Sequence, residues 1–290
     1  MKDRTLQIFR GLKWYLLIFL VFISFFLWYV AVNENREGFL TVSFLNVEQG
    51  DSIFIESPTG VQVVIDGGPN KFIMREISKQ IPWYDRSLDA IIITHPDKDH
   101  YEGFASLLDK YSVKVVIEAG ASSETQSYTF LEKKIADKKI PKVLARRGQI
   151  VDIGGGAYIE ILFPDRDISG LNSNDGSIVS KLVYGNTSVM LTGDSPQSIE
   201  NYLISLDKGG LDSDILKAGH HGSRTSSSDL FVSAVSPEYT IISAEKNSRY
   251  GHPHKEVLDI LEKYKTEILA TYELGTITFI SDGNNLRLVK

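Results

Sequence analysis

The densest chemistry in the chain is Ile91-Ile92-Ile93-Thr94-His95-Pro96-Asp97-Lys98-Asp99-His100, an apolar run emptying into two imidazoles and two carboxylates. Solvated loops hold Asp and Lys routinely, but two histidines at the end of a buried strand are the pattern of a metal site. At a tight turn, the spacing i, i+2, i+4 and i+5 directs His95 and Asp97 toward one ion and Asp99 and His100 toward a second. Two divalent cations about 3.5–4 Å apart activate water and hold the leaving oxygen in a displacement at phosphorus or carbonyl carbon. Hydrolysis is therefore the expected chemistry, with Asp99 and the later His221 as its catalytic groups.

Such a pair of ions needs a shared oxygen. Asp194, in Leu191-Thr192-Gly193-Asp194, ends another apolar strand where Gly193 permits close backbone approach, and it is the expected bridge. A helix N-cap is its ordinary alternative role. His220-His221-Gly222-Ser223 and Gly251-His252-Pro253-His254 follow later strands. Side chains of adjacent histidines are expected to diverge, so one of His220 and His221 is the direct ligand and the other supports it or meets substrate. His221 and His252 are favoured as ligands, His220 and Ser223 as supporting or substrate-binding groups, and His254 as surface. Asp66, before Gly67-Gly68, can orient a ligating histidine or simply make an Asx turn. Arg146, Arg147, Lys217 and Arg224 are candidate positive charges near an anionic substrate, although scattered basic residues are usually solvated surface. Gly154-Gly155-Gly156 has no following lysine-hydroxyl pair and no helix, so it reads as a turn and not a phosphate loop.

These residues must be held by the elements around them. Strands are expected at 39–46, 52–56 and 61–65, then a helix at 71–80, a strand at 88–94, a helix at 102–110, a strand at 113–118 and a helix at 125–138. The second half repeats the alternation. It has strands at 142–145 and 157–162, a hairpin of 177–184 with 188–192, and strands at 214–218, 239–244, 267–271 and 276–280. Helices at 196–206, 227–234 and 253–264 lie between them. Two sheets, each covered outside by helices, make an α/β fold, a four-layer αββα sandwich.

Before it, Trp14 to Val32 contains no charge and at helical rise reaches about 28 Å, close to a bilayer's hydrocarbon thickness. Lys2, Arg4, Arg10 and Lys13 precede this segment, which predicts residues 1–13 in the cytoplasm, 14–32 as a transmembrane anchor, 33–38 as a linker and 39–290 outside. A cleaved signal peptide is disfavoured by the length of the apolar core and the lack of a small-residue cleavage site. The chain has no cysteine, so any metal is held by nitrogen and oxygen. Of the net charge of −6, the first thirteen residues carry +3, which leaves −9 beyond them and no general attraction for a polyanion.

Taken together, these segments resemble the metallo-β-lactamase superfamily, and more closely the exported hydrolase domain of ComEC-type DNA-uptake channels and its stand-alone relatives. The resemblance spans Phe39 to Asp282. It rests on Phe44-Leu45-Asn46-Val47-Glu48-Gln49-Gly50-Asp51-Ser52, Asp66-Gly67-Gly68, the His-x-Asp-x-Asp-His run from His95 to His100, and Leu191 to Asp194. Leu216 to Ser223 and Asn247 to Pro253 follow in the family's order. Two features depart from the wider superfamily. Asp97 stands where zinc-dependent relatives commonly have histidine, and 172–177 occupies the place of a further metal-binding histidine, with Asn174 as the replacement contact. The added oxygen ligands favour Mn²⁺ or Mg²⁺ relative to zinc, so the resemblance implies two divalent ions, manganese or zinc. The same departures argue against β-lactam hydrolysis.

The resemblance implies an extracytoplasmic phosphodiesterase or nuclease acting on DNA or another anionic phosphoester, partnered by an envelope or DNA-uptake protein. One spanning segment is not expected to conduct DNA itself. The alternatives are a hydrolase of another exported ester, such as a teichoic-acid phosphorylcholine group or a lactone, and a membrane-tethered binding module without catalysis. Retention of nearly the whole ligand set argues against the last.

Overall fold

The computed structural model describes residues 2–33, 38–207 and 209–289. The chain divides into two units, 1–37 and 38–290. The first holds a single helix, α1 (Lys2–Asn33), whose stretch Leu12–Tyr29 has a mean hydropathy of 1.9 and exposed side chains. Eighteen residues rise about 27 Å, so length and composition allow it to cross a membrane. Most of the expected linker, residues 34–37, lies outside the described residues.

In the second unit, β1 (Leu40–Phe44), β2 (Ile53–Glu56) and β3 (Gln62–Ile65) form the expected meander. They are followed by α2 (Phe72–Gln80), β4 (Ser87–Ile93), α3 (Lys98–Tyr101), α4 (Phe104–Lys110), β5 (Ser112–Glu118), α5 (Gln126–Asp137) and β6 (Lys142–Leu144). The second half comprises β7 (Ile150–Gly154), β8 (Ala157–Phe163), β9 (Val179–Tyr184), β10 (Thr187–Leu191), α6 (Gln197–Asp207), β11 (Ile215–Lys217), α7 (Asp229–Val235), β12 (Tyr239–Ile242) and α8 (Lys255–Lys263). β13 (Glu267–Ala270), α9 (Thr271–Leu274), β14 (Ile277–Ser281) and β15 (Leu286–Leu288) complete it. One sheet runs β15-β14-β1-β2-β3-β4-β5-β6 and the other β13-β12-β11-β10-β9-β8-β7.

Residue parity in the strands separates the layers. Val63, Ile65, Ala90 and Ile92 point into the apolar core shared with Ile159, Leu182, Val189 and Leu216 of the second sheet. Val64, Ile91, Ile93 and Val116 point the other way, onto Ile73 and Ile77 of α2, Phe104 and Leu107 of α4, and Leu131 and Ile135 of α5. Strands buried on both faces must be apolar at every position, which is why these read as continuous hydrophobic runs.

Three sequence expectations are corrected. β7 lies where only a turn-prone connection to β8 was expected, and the glycines form its hairpin, with positive φ at Gly154, Gly155 and Gly156. β14 joins the first sheet beside β1, so the second half does not simply repeat the first. There Phe279 is buried edge-on against Phe44, an apolar neighbour that the meander edge supplies. The helix expected at 102–110 begins at Phe104 and is preceded by a separate turn of helix, α3, and at Gly103 between them the backbone presses onto Gly67, where an added Cβ would stand 2.0 Å from the Gly67 carbonyl oxygen.

The site lies at one edge because β3, β4 and β5 are parallel, as are β10, β11 and β12, so their carboxyl ends open together. The two sheets are tied there by Ile178 N–H donating to the Thr94 carbonyl at 3.0 Å. Gly50 has φ +131°, and a Cβ on it would meet the Asp99 carbonyl oxygen at 2.3 Å. Gly50→Ala is therefore expected to destabilise the domain by about 2–3 kcal/mol and to displace Asp99. Urea unfolding read beside activity would check both effects.

Candidate metal centre

His95 follows β4, Asp97 precedes α3, and Asp99 and His100 lie on that single helical turn, where a loop was expected. Asp194 follows β10, His220 and His221 follow β11, and His252 lies between β12 and α8. Five of the chain's six histidines thus lie in the segments that follow strands of both sheets. The sixth, His254, caps α8 and accepts from the Arg224 N–H through Nδ1.

Four imidazoles are oriented in the same way. His100 Nδ1 is 2.8 Å from Asp66 Oδ2, whose carboxylate also accepts from the Thr94 N–H and hydroxyl. That hydroxyl is committed to Asp66, so at 3.0 Å it accepts from His95 Nδ1. His221 Nδ1 faces the Ser243 carbonyl at 3.0 Å. His220 Nδ1 is 3.2 Å from the Thr225 hydroxyl, which itself donates to Ser223 Oγ. In the neutral ring each acceptor holds the proton on Nδ1, which leaves the lone pair on Nε2. Ser223 thereby supports the His220 loop and does not line the crevice.

All four Nε2 atoms face Asp194. His100 lies 3.3 Å from Oδ1, and His220, His221 and His95 lie 3.5, 3.6 and 3.8 Å from Oδ2. His95 Nε2 is also 3.6 Å from Asp97 Oδ2, and His221 Nε2 is 3.3 Å from Asp99 Oδ2. The expected divergence of His220 and His221 is absent because both adopt left-handed backbone, with φ of 49° and 55°. Two successive left-handed residues are costly, and strain of this kind is concentrated at functional sites.

Asp51 was missed. It, His100, Asp194 and His221 each offer one ligand atom, all within 4.8 Å of one another. Its one sequence signal was a carboxylate at a turn immediately before a buried strand. Lys217 also differs from expectation. It is fully buried, bonded to Asp51 Oδ2 at 2.8 Å and to the Ala218 carbonyl at 2.9 Å, and cannot meet substrate. Asp97 accepts from Ser173 Oγ at 2.8 Å, and the adjacent Asn174 has a buried Oδ1 without a hydrogen-bond partner. Arg146 and Arg147 are engaged elsewhere, on the Ala119 and Ala145 carbonyls and on Asp207 respectively. Arg224 lies 3.8 Å from Glu256.

The cluster suits a cation. The Nε2 atoms of His95, His100 and His221 and Oδ1 of Asp194 are buried without hydrogen-bond partners, which is expensive unless something else binds them. Two donors each about 2.1 Å from one ion at the tetrahedral angle stand about 3.4 Å apart. The separations of 3.3–3.8 Å have that scale. Burial opposes ionisation of Asp194 and Asp99, but neighbouring histidines outweigh it and hold both carboxyls below their ordinary range. Burial, reinforced by the His221 and His220 charges, pushes His252 down to about 4, so its ring is neutral and available for coordination at neutral pH. Asp66→Ala, which frees His100 Nδ1, is expected to weaken metal affinity about 10–100-fold. Metal titration of the folded variant would measure it.

A crevice of about 220 Å³ opens over the cluster, lined by Gln49, Asp97, Asp99, Asp194, His220, His221, Tyr250 and His252. It shares Gln49, Asp99 and Tyr250 with a groove of about 660 Å³. Lys98 and Arg249 lie in that groove with Glu48, Glu102 and Glu245.

Comparison with known proteins agrees with this architecture. The chain is 30% identical over 281 residues to ComE operon protein 3 of Bacillus subtilis (strain 168), covering 88% of this chain and 34% of that protein. It is 28% identical to Competence protein ComA of Neisseria gonorrhoeae over 67% of this chain and 25% of that protein. It therefore spans about a third or less of the length of these relatives. Among solved structures, Igni18, a metallo hydrolase from Ignicoccus hospitalis, superposes with a TM-score of 0.55 at 13% identity, covering 83% of this chain and 98% of that one. CmlA, a diiron β-hydroxylase from Streptomyces venezuelae, gives 0.54 at 14% identity, covering 82% and 53%. At such identities the likeness is one of fold. The model of the Metallo-beta-lactamase superfamily matches residues 45–245, and the chain belongs to that superfamily of hydrolases.

Proposed function

We propose that the protein is a membrane-anchored, extracytoplasmic, metal-dependent phosphodiesterase, acting as a nuclease of the ComEC type. Residues 1–13 lie in the cytoplasm, 14–32 form the anchor and 39–290 form the hydrolase domain outside. The observation that carries the reading is the convergence of four pre-oriented Nε2 lone pairs on Asp194 at the floor of an open crevice. His95 and Asp97 would hold one divalent ion, Asp99, His100 and His252 a second, and Asp194 both. Manganese or zinc in these positions supplies Lewis acidity and acidifies water.

The chain's own residues do the positioning. Asp66 and Thr94 fix the rings of His100 and His95, and Ser243 fixes His221. Asp99, whose side chain is one-third exposed, reaches the crevice mouth beside His221 and can orient the attacking water. Lys98 and Arg249 offer positive charge to the flank of an anionic ester. The similarity to competence proteins supports a DNA-uptake setting, with an envelope protein as partner.

One observation favours a second reading. The groove also carries Glu48, Glu102 and Glu245, which repel a long polyanion and suit a shorter or zwitterionic exported ester.

The deciding assay uses the full chain in detergent with single-stranded DNA, bis-(p-nitrophenyl) phosphate, a phosphorylcholine ester and a lactone. Metal is stripped and then Mn²⁺ or Zn²⁺ restored, beside a folded Asp99→Ala control. Metal-restored DNA cleavage that is absent from the control supports the nuclease. Turnover of the other esters alone moves the assignment to them, and no turnover by metal-loaded protein sinks the hydrolytic reading.

A further inference from the structure

Lys217 and Asp51 form an ion pair sealed beneath the metal cluster, and the hydrolytic reading gives neither residue a task. Lys217 is fully buried at the end of β11, and Asp51 is 2% exposed. Burying such a pair is costly, and apolar residues of similar size would usually stabilise a fold as well or better. Its location offers a reason. Asp51 Oδ2 is 2.8 Å from the Lys217 ammonium and Oδ1 is 3.2 Å from His221 Nδ1, and Asp51 offers one oxygen to the group of four ligand atoms lying within 4.8 Å of one another. Asp51 is thus close enough to become one more oxygen ligand.

We propose that Lys217 is a positioning residue that pins Asp51 outside the metal shell and so keeps a coordination position free for water or substrate. Charge supports the arrangement. Asp51, Asp66, Asp97, Asp99 and Asp194 can bring five negative charges, two divalent ions four positive ones, and Lys217 the fifth. The ammonium is tethered from two sides, by Asp51 and by the Ala218 carbonyl, so it is held in one place beside the cluster. Hydrolytic metal sites need an open position, and a carboxylate arriving there closes it. The inference rests on the centre holding metal but not on which ester is cleaved.

The test is Lys217→Met, close in volume but uncharged, in the full-length protein loaded with Co²⁺, whose absorption spectrum reports coordination number. Freed from Lys217, Asp51 is expected to bind the metal. Affinity should be unchanged or about tenfold tighter, the spectrum should shift toward higher coordination, and turnover should fall about 10–100-fold, on the scale seen when groups supporting a metal site are altered. Tighter or equal binding with slower turnover is a combination that simple loss of packing does not produce. Adding Asp51→Asn should restore the parental spectrum and recover turnover. A folded Lys217→Met protein with the parental spectrum, or one that binds metal more weakly, overturns the proposal, as does a double variant that leaves the single variant's spectrum unchanged. If Lys217→Met does not fold, the double variant, which strands no charge, decides: the parental spectrum supports the proposal and an altered one overturns it.

Discussion

Asp194→Ala is expected to yield a folded protein that retains little metal and loses at least about three orders of magnitude in kcat/KM, roughly 4 kcal/mol of transition-state stabilisation. Among the described residues Asp194 is the one carboxylate that approaches the Nε2 atoms of His95, His100, His220 and His221 together, with Oδ1 nearest His100 and Oδ2 nearest the other three. No neighbour can replace it. Asp97 is directed to His95 and Ser173, Asp99 to His221, and Asp66 is committed to His100 and Thr94. Asp194 is buried, but its removal opens a polar pocket and not an apolar core, so the fold should survive. Circular dichroism and metal analysis by mass spectrometry would establish the first two parts of the expectation, and steady-state kinetics the third. A folded variant with parental metal content and near-parental turnover would remove Asp194 from the centre of the mechanism.

What the sequence revealed, and what it concealed, follows from the range of the interactions. His95 to His100 could be read because an apolar run and a burst of nitrogen and oxygen ligands are local signals, and the glycine before Asp194 marked another strand end. The layered architecture was legible for the same reason, since strands such as Leu88 to Ile93 are apolar at nearly every position. The convergence of His220 and His221 was not, because it depends on the sign of two backbone angles. Nor was the partnership of Asp51 with Lys217, 166 positions apart, because a lysine at a strand end reads as solvated until its counter-ion is placed beside it. The placement of β14 was hidden too. Its apolar alternation suits either sheet, and Phe279 packs on both Phe44 of the first and Tyr239 of the second, so its pairing with β1, tied by the Ser43 and Thr278 hydroxyls at 2.9 Å, is a long-range outcome.

Metal and protons should compete for this centre, and their competition should appear as a pH-dependent stability difference. In the metal-free protein, burial disfavours a charged His221, but Asp194 and Asp51 outweigh it and raise the ring to about 9. His100 is raised in the same way by Asp194 and Asp66. A raised imidazole contributes stability that is complete below its unfolded value of about 6.5 and is lost as pH climbs through the folded value. Asp51 runs the other way. Burial opposes its ionisation, Lys217 and His221 prevail and lower it to about 2, and its contribution is lost only as pH falls from about 4 toward that value. The metal-free protein should therefore be most stable between about pH 4 and 6.5 and weaken toward pH 9. Metal needs the deprotonated rings, so its stabilisation should grow over the interval in which the protonated rings cease to help. At a hundred times Kd one bound ion adds about 2.7 kcal/mol, roughly 5–10 °C for a domain of this size. Melting curves from about pH 6 to pH 9, with chelator and with Mn²⁺ or Zn²⁺, give the difference directly. A metal-induced shift that is constant across that range, or largest at its acid end, would mean that His100 and His221 do not exchange protons for metal.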